Sequence, residues 1–212
     1  DLGTDYVRMA EFRQGATMEE AARMAFREGK DTPICCGDAA ARIDGRACAG
    51  VEICRPMRDG VLESNFYADR MFRWLFGRMD FISRKKRFGA MIACAPFARP
   101  VQQEALMAAA MDAGAGEAAL VRADAAAAVG AGLDLTAPEG KLLVDIGAGK
   151  ITCTLFTLGR VAAFGYVPYG MNRIDERIQR IVRAENGYRI GMNSAREIKN
   201  TLGTALPERA PA

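Results

Sequence analysis

Histidine is absent from all 212 residues, and several chemistries go with it. Serine-histidine triads and histidine-based proton transfer are excluded, so any hydrolysis has to rest on carboxylates or a bound metal. Six cysteines fall at no Cys-x-x-Cys spacing. With no histidine to complete a ligand set, a structural zinc site is not expected. The cysteines read instead as small core residues in a reducing compartment. No window approaches eighteen uninterrupted apolar residues, so the sequence offers no spanning helix. Charge of one sign is also lacking: 29 basic residues stand against 26 acidic ones, for a net +3. No extended basic stripe interleaves with aromatics, and nucleic acid is not an expected partner.

Half of the residues are apolar, enough to bury a core in one large domain or two small ones. Leu142–Ile146, Ile151–Leu158 and Val161–Val167 read as three strands of an antiparallel meander, the last two joined at Gly159-Arg160. Ile174, Ile178 and Ile181 recur three or four apart after Asn172, which predicts an amphipathic helix ending at Gly187. Upstream, Ala90–Ala95 reads as a buried strand, and Pro100 opens a helix running to Gly114. Glu117–Val121 reads as a short strand before Asp124, an expected N-cap for the alanine-rich helix up to Gly132. Phe66–Met79 predicts a helix whose aromatics are core. Residues Phe12–Ala49 show little periodicity and read as an elaborated loop region or a small inserted subdomain.

One short pattern occurs twice. Asp1-Leu2-Gly3-Thr4 and Asp145-Ile146-Gly147-Ala148 both run acid, apolar, glycine, small, and the second follows the apolar strand Leu142–Val144. A glycine after a strand is commonly just a turn; two copies of the same turn suggest a duplicated site.

Cys36-Gly37-Asp38, Arg55-Pro56-Met57-Arg58-Asp59-Gly60-Val61, Val129-Gly130-Ala131-Gly132-Leu133 and Leu143-Val144-Asp145-Ile146-Gly147-Ala148-Gly149 occur in the order and spacing of the MreB family, the bacterial actin homologues. The chain resembles that family along nearly its whole length, over about the first three fifths of a full member. The resemblance implies an α/β protein of actin-like ATPase fold, a duplicated ribonuclease-H-like motif, incomplete on its C-terminal side. It divides the chain into 1–12 with 50–138 as most of the first half, 13–49 as a small inserted subdomain, and 139–212 as the start of the second half. Asp1 heads a motif that normally follows a strand, so the true N-terminus is expected upstream. Ala212 precedes the glycine-rich adenosine loop of the family.

The resemblance also implies a ligand, ATP with Mg. Gly3, Gly147 and Gly149, with Ala148 between, would let backbone N–H groups approach phosphate oxygens. Thr4 would add a hydroxyl. Asp1 and Asp145 would hold magnesium, largely through its waters. Glu197 and Lys199 would approach the ribose, or else form a solvated helix face. Lys150 would either offset phosphate charge or point to solvent. Phe81 and Ile82, beside Arg84, Lys85, Lys86 and Arg87, stand where relatives carry a membrane-contact tip, the alternative being a solvated basic loop.

Three departures stand out. Asp5-Tyr6-Val7 replaces a usual Ala-Asn-Thr, and Arg196 replaces an acid. At Arg122-Ala123-Asp124 the family places Glu-Glu-Pro, whose acid positions the attacking water, so no catalytic residue is assigned and slow ATP hydrolysis at most is expected. The implied function is a filament-forming homopolymer in the cytoplasm, peripheral at the inner face of the plasma membrane, acting with cell-wall elongation proteins on cell shape. Two alternatives remain: a nucleotide-poor, non-hydrolysing scaffold, and a sugar or acetate kinase of the same superfamily.

Overall fold

A computed structural model describes residues 1–12, 15, 17–78 and 88–206. β1 (Tyr6–Ala10) pairs antiparallel with β2 (Thr17–Ala21), and β3 (Met24–Arg27) lies between β4 (Pro33–Cys36) and, after the short helix α1 (Asp38–Ile43), β5 (Val51–Cys54). The stretch read as weakly periodic thus carries three strands and a helix. Its period was masked by charge: Glu19 and Glu20 sit on β2, and Arg23, only 1% exposed, lies just before β3.

β6 (Met57–Arg58) and β7 (Val61–Leu62) close a tight hairpin through Asp59 and Gly60, both at positive φ (50° and 82°). Two successive positive φ values define the mirror-image turn whose twist suits a hairpin, and Asp-Gly is among the sequences that adopt it readily. α2 (Asn65–Arg78) follows. Met71, Phe72, Leu75 and Phe76 are spaced at three and four residues and enter the main core, where Met24, Phe26, Ile92 and Leu106 join them. Burying each such side chain stabilises by about 1.5–3 kcal/mol. Phe66 departs from the expectation of an all-core aromatic helix: it is 38% exposed, with Arg70 over its ring at 4.7 Å. Trp74 is partly buried, against Gly37 and beneath the Arg78 guanidinium at 5.1 Å.

β8 (Gly89–Cys94), α3 (Pro100–Asp112) and β9 (Glu117–Arg122) form a β-α-β unit with parallel strands. Gln102 accepts the Arg99 N–H at 3.0 Å, closing the first turn of α3. α4 (Ala123–Gly130) starts directly from β9 with Arg122 as its N-cap residue, so Asp124 is not the cap. It sits inside the first turn instead, buried, and accepts the N–H of Ala125 at 2.9 Å.

The meander is as expected: β10 (Lys141–Ile146), β11 (Ile151–Thr157) and β12 (Arg160–Val167), in that order. The final turn falls on Leu158 and Gly159, both at positive φ, and Arg160 already pairs with Thr157. One sheet face buries Thr152, Thr154 and Phe156; the other carries the exposed Leu142, Val144 and Ile146. α5 (Met171–Asn186) ends at Gly187 with φ 72°, and α6 (Met192–Leu202) packs beside it.

Among the cysteines, Cys36, Cys54 and Cys94 are buried, whereas Cys48 and Cys153 are exposed and so are not core residues. Burial, with Cys35 adjacent, pushes the Cys36 thiol up to about 12, which makes it unreactive packing.

Candidate functional site

The two repeated turns meet. The first is closed on itself, with Gly3 N–H donating to Tyr6 O at 3.0 Å and Leu2 bridging Val7. That closure turns Thr4 and Asp5 in different directions. The Thr4 hydroxyl accepts the Gly60 N–H at 3.3 Å and lies against Gly149 of the second turn. A Cβ at Gly149 would stand 2.7 Å from Thr4 Oγ1 and 3.0 Å from Asp59 Cα, so only glycine fits this junction. The Asp59-Gly60 hairpin therefore wedges beside both turns, and the Lys150 stem lies across Gly60.

In the second turn the carbonyls and the amides divide their work. Gly147 O and Ala148 O accept the N–H groups of Met171 (3.0 Å) and Asn172 (2.9 Å), capping α5, which has no side-chain cap. The Ala148 and Gly149 N–H groups have no acceptor among the described residues. Both residues, with Thr4, line a cavity of about 550 Å³ whose walls also include Tyr67, the arginines Arg55, Arg58 and Arg173, and the acids Asp44, Glu52, Asp59, Glu63 and Glu176. A hydrogen bond with Cys54, then burial, raises the Tyr67 phenol to about 12, so it stays neutral. A glycine-spaced loop with free amides, set beside a helix start and arginines, has the donor chemistry of a phosphate cradle.

The remaining expected ligand residues lie apart from this wall. The Asp1 carboxylate is at the surface, 3.3 Å from Arg8, and Asp145 is 3.6 Å from the Lys150 amine. Lys150 thus offsets a carboxylate. No group of three potential metal-ligating side chains occurs among the described residues, so a magnesium ion here would depend mainly on water and phosphate oxygens. Lys199 is engaged with buried Asp175 at 2.7 Å, and Glu197 is exposed. Phe81, Ile82, Arg84, Lys85, Lys86 and Arg87 lie outside the described residues. No helix among the described residues is long and apolar enough to cross a membrane.

Two features escaped sequence reading. Asp124 accepts Arg122 (2.6 and 3.1 Å) and the Thr154 hydroxyl (2.9 Å), tying the start of α4 to β11. Burial alone would raise its pKa; the bonds from Arg122 and Thr154, the Arg122 charge and the Ala125 N–H outweigh burial and hold it below the ordinary value. The other is Asp5, 6% exposed, with Arg23 (3.4 Å), Arg55 (3.7 Å), Asn172 (3.3 Å) and Arg196 (2.5 Å) around its carboxylate. An acid inside a phosphate-type turn was the available signal.

Comparisons with known proteins give matches along nearly the whole chain. The profile of the family described as MreB/Mbl protein matches residues 1–211. The chain is 31% identical to the cell shape-determining protein MreB of Escherichia coli (strain K12), over 98% of this chain and 61% of that protein. It is 24% identical to the cell shape-determining protein Mbl of Bacillus subtilis (strain 168), covering 98% and 62%. The structure of MreB5 of Spiroplasma citri bound to ADP superposes with a TM-score of 0.90 at 27% identity, over 97% of this chain and 62% of that one. A MamK double helical filament shares the fold at TM-score 0.73 and 20% identity. The architecture is the actin-like ATPase fold, and the chain spans about three fifths of the length of these relatives.

Proposed function

The chain belongs to the MreB/Mbl family, and on that premise we propose that it binds ATP with magnesium and forms cytoskeletal filaments that organise cell-wall synthesis and cell shape. The observation that carries the nucleotide reading is the junction of the two turns: Gly149 pressed on Thr4, with the Ala148 and Gly149 amides lacking an acceptor among the described residues, beside a cavity of about 550 Å³. MreB5 of Spiroplasma citri has been crystallised with ADP and with AMPPNP, which supports a nucleotide in the same place here. Ala148 and Gly149 would hold phosphate oxygens through their N–H groups. Asp145, released from Lys150, would orient magnesium waters. The ion supplies charge neutralisation for the phosphates when bound. Calorimetry with magnesium-ATP tests this on the longest natural form of the chain: Asp145→Ala and Gly149→Val should each weaken binding about tenfold or more, and unchanged affinity in both would refute it.

Hydrolysis is expected to be slow, because Ala123 occupies the position of the water-orienting acid. Missing acid-base groups typically cost about a hundredfold or more. Ala123→Glu should raise phosphate release; a wild-type rate already matching other family members, with no gain in the variant, would count against this reading.

A second reading, a nucleotide-poor scaffold, draws support from the ion pairs that already engage Asp1 with Arg8 and Asp145 with Lys150. No magnesium-ATP binding, together with intact filament or membrane binding, would favour it. Membrane attachment rests on the sequence of Phe81 and Ile82 with Arg84, Lys85, Lys86 and Arg87. Binding to anionic vesicles that falls with salt, and falls further in Phe81→Ser with Ile82→Ser, is its expected signature.

A further inference from the structure

Among the described residues, α6 touches the N-terminal segments through two side-chain hydrogen bonds. Arg196 Nη2 donates to Asp5 Oδ2 at 2.5 Å, and Asn193 Nδ2 donates to Ala41 O at 3.1 Å. The first is largely buried: the Asp5 side chain is 7% exposed and that of Arg196 18%. The same guanidinium reaches back into its own helix pair, with Nε 3.4 Å from Asp175 Oδ2 and Nη2 3.0 Å from Asn172 Oδ1. Asp175 is fully buried and is held from its other oxygen by Lys199. Asp5, for its part, is gripped by Arg23, which also pairs with Asp44 at 2.9 Å. Arg196 therefore joins two buried ion networks, one on the N-terminal strands and one between α5 and α6, alongside Asn172, whose Nδ2 donates to Asp5 Oδ1 at 3.3 Å.

The two ends of this bond are both departures from the family pattern noted in the sequence, an acid in place of alanine in the first turn and an arginine in place of an acid on the helix. Separately each is unexplained. In space they are one complementary pair, and the guanidinium fork suits a carboxylate on either side of it.

We propose that Asp5 and Arg196 form a clasp that holds the α5–α6 pair closed against the first turn without any ligand. A largely buried bond between α6 and the first turn favours their contact over any separated arrangement, with no ligand required. The clasp also explains why Lys199 and Arg196 face Asp175 and Asp5 rather than the cavity. Because it is internal to the chain, it stands or falls independently of nucleotide binding.

Amide hydrogen exchange of the chain in nucleotide-free buffer tests it. Arg196→Gln should speed exchange of the α6 amides about tenfold or more, while β8 and β9 keep their wild-type rates. Asp5→Asn should act on the same amides, and the double variant should fall short of the product of the two singles, since the Asp5–Arg196 bond is lost in both although Asp5 also holds Arg23, Arg55 and Asn172 and Arg196 also holds Asp175. Arg196→Lys keeps the charge but loses the fork, and it should fall between wild type and Arg196→Gln. It also serves as the comparison if the glutamine variant does not accumulate folded. Unchanged α6 exchange, strictly multiplicative effects of the two substitutions, or an equal acceleration in β8 and β9 would each overturn the clasp.

Discussion

The two turns share a sequence pattern and differ in what their backbone does. In the first, the glycine amide is consumed internally by Tyr6 O, and the turn acts through side chains, Thr4 toward Gly149 and Asp5 toward the arginines. In the second the glycine amide is likewise consumed, Gly147 N–H donating to Lys150 O at 2.8 Å, but the Gly147 and Ala148 carbonyls cap α5, so the turn acts through its main chain. A duplicated motif therefore need not be a duplicated mechanism. One copy is a bracket that sets distances, and the other is the surface a phosphate would meet.

Four substitutions probe that contrast, in descending order of expected effect. Gly170→Ala should be the most damaging, because its Cβ would meet Ala148 O, Ala148 C and Gly147 O, all main-chain atoms that cannot rotate away. Overpacking of this kind costs about 3 kcal/mol, and thermal denaturation should show it. A loss no greater than that of Gly149→Ala would mean that the second turn is not rigidly seated on α5. Gly149→Ala comes next, at about 1–2 kcal/mol, since a hydroxyl and one Cα must give way. It should lower phosphate-ligand affinity as well as stability, whereas a stability loss alone would break the assignment of roles. Thr4→Val removes the acceptor of the Gly60 N–H, for about 1 kcal/mol in denaturant titration. No change there would show that the hairpin is held by packing alone.

The smallest effect concerns acid. Asp124 titrates below its ordinary value in the folded state, so its contribution is present above the unfolded pKa and disappears as pH falls through the folded one. In Asp124→Asn that part of the acid sensitivity should vanish, leaving a flatter stability profile below pH 4. An unchanged acid limb would mean that Arg122 and Thr154 do not stabilise the charged carboxylate.

Much of the fold was legible because local signals agreed. The apolar run Leu142–Val144 marked a strand, Gly159 marked a tight turn that falls one residue earlier than the expected Gly159-Arg160, and Ile174, Ile178 and Ile181 shared one helix face. The strands before residue 37 were obscured because buried Arg23 and largely covered Glu20 read as surface residues. Their burial is made tolerable by partners far along the chain: Arg23 by Asp5 and Asp44, Glu20 by Arg78. At the candidate site, Thr4 and Gly149 were legible through repetition. Arg196 and Asp5 are 191 positions apart, and no periodicity encodes such a meeting. Asp124 looked like a cap because caps and buried carboxylates share the same residue type at the same end of a helix; the helix start at Arg122 and the Thr154 contact separate them.

Trp74, the sole tryptophan, sits on α2 against Gly37 with a cation above its ring. All indole emission therefore originates in one place, next to the main core and remote in sequence from α5 and α6. Its emission follows melting of that core and is silent toward a helix pair swinging loose, so intrinsic fluorescence gives an optical clock for global unfolding alone. Paired with a probe attached at exposed Cys153, on β11, in a Cys48→Ser background that removes the other exposed thiol, it would time the two parts of the chain separately in a single stopped-flow record.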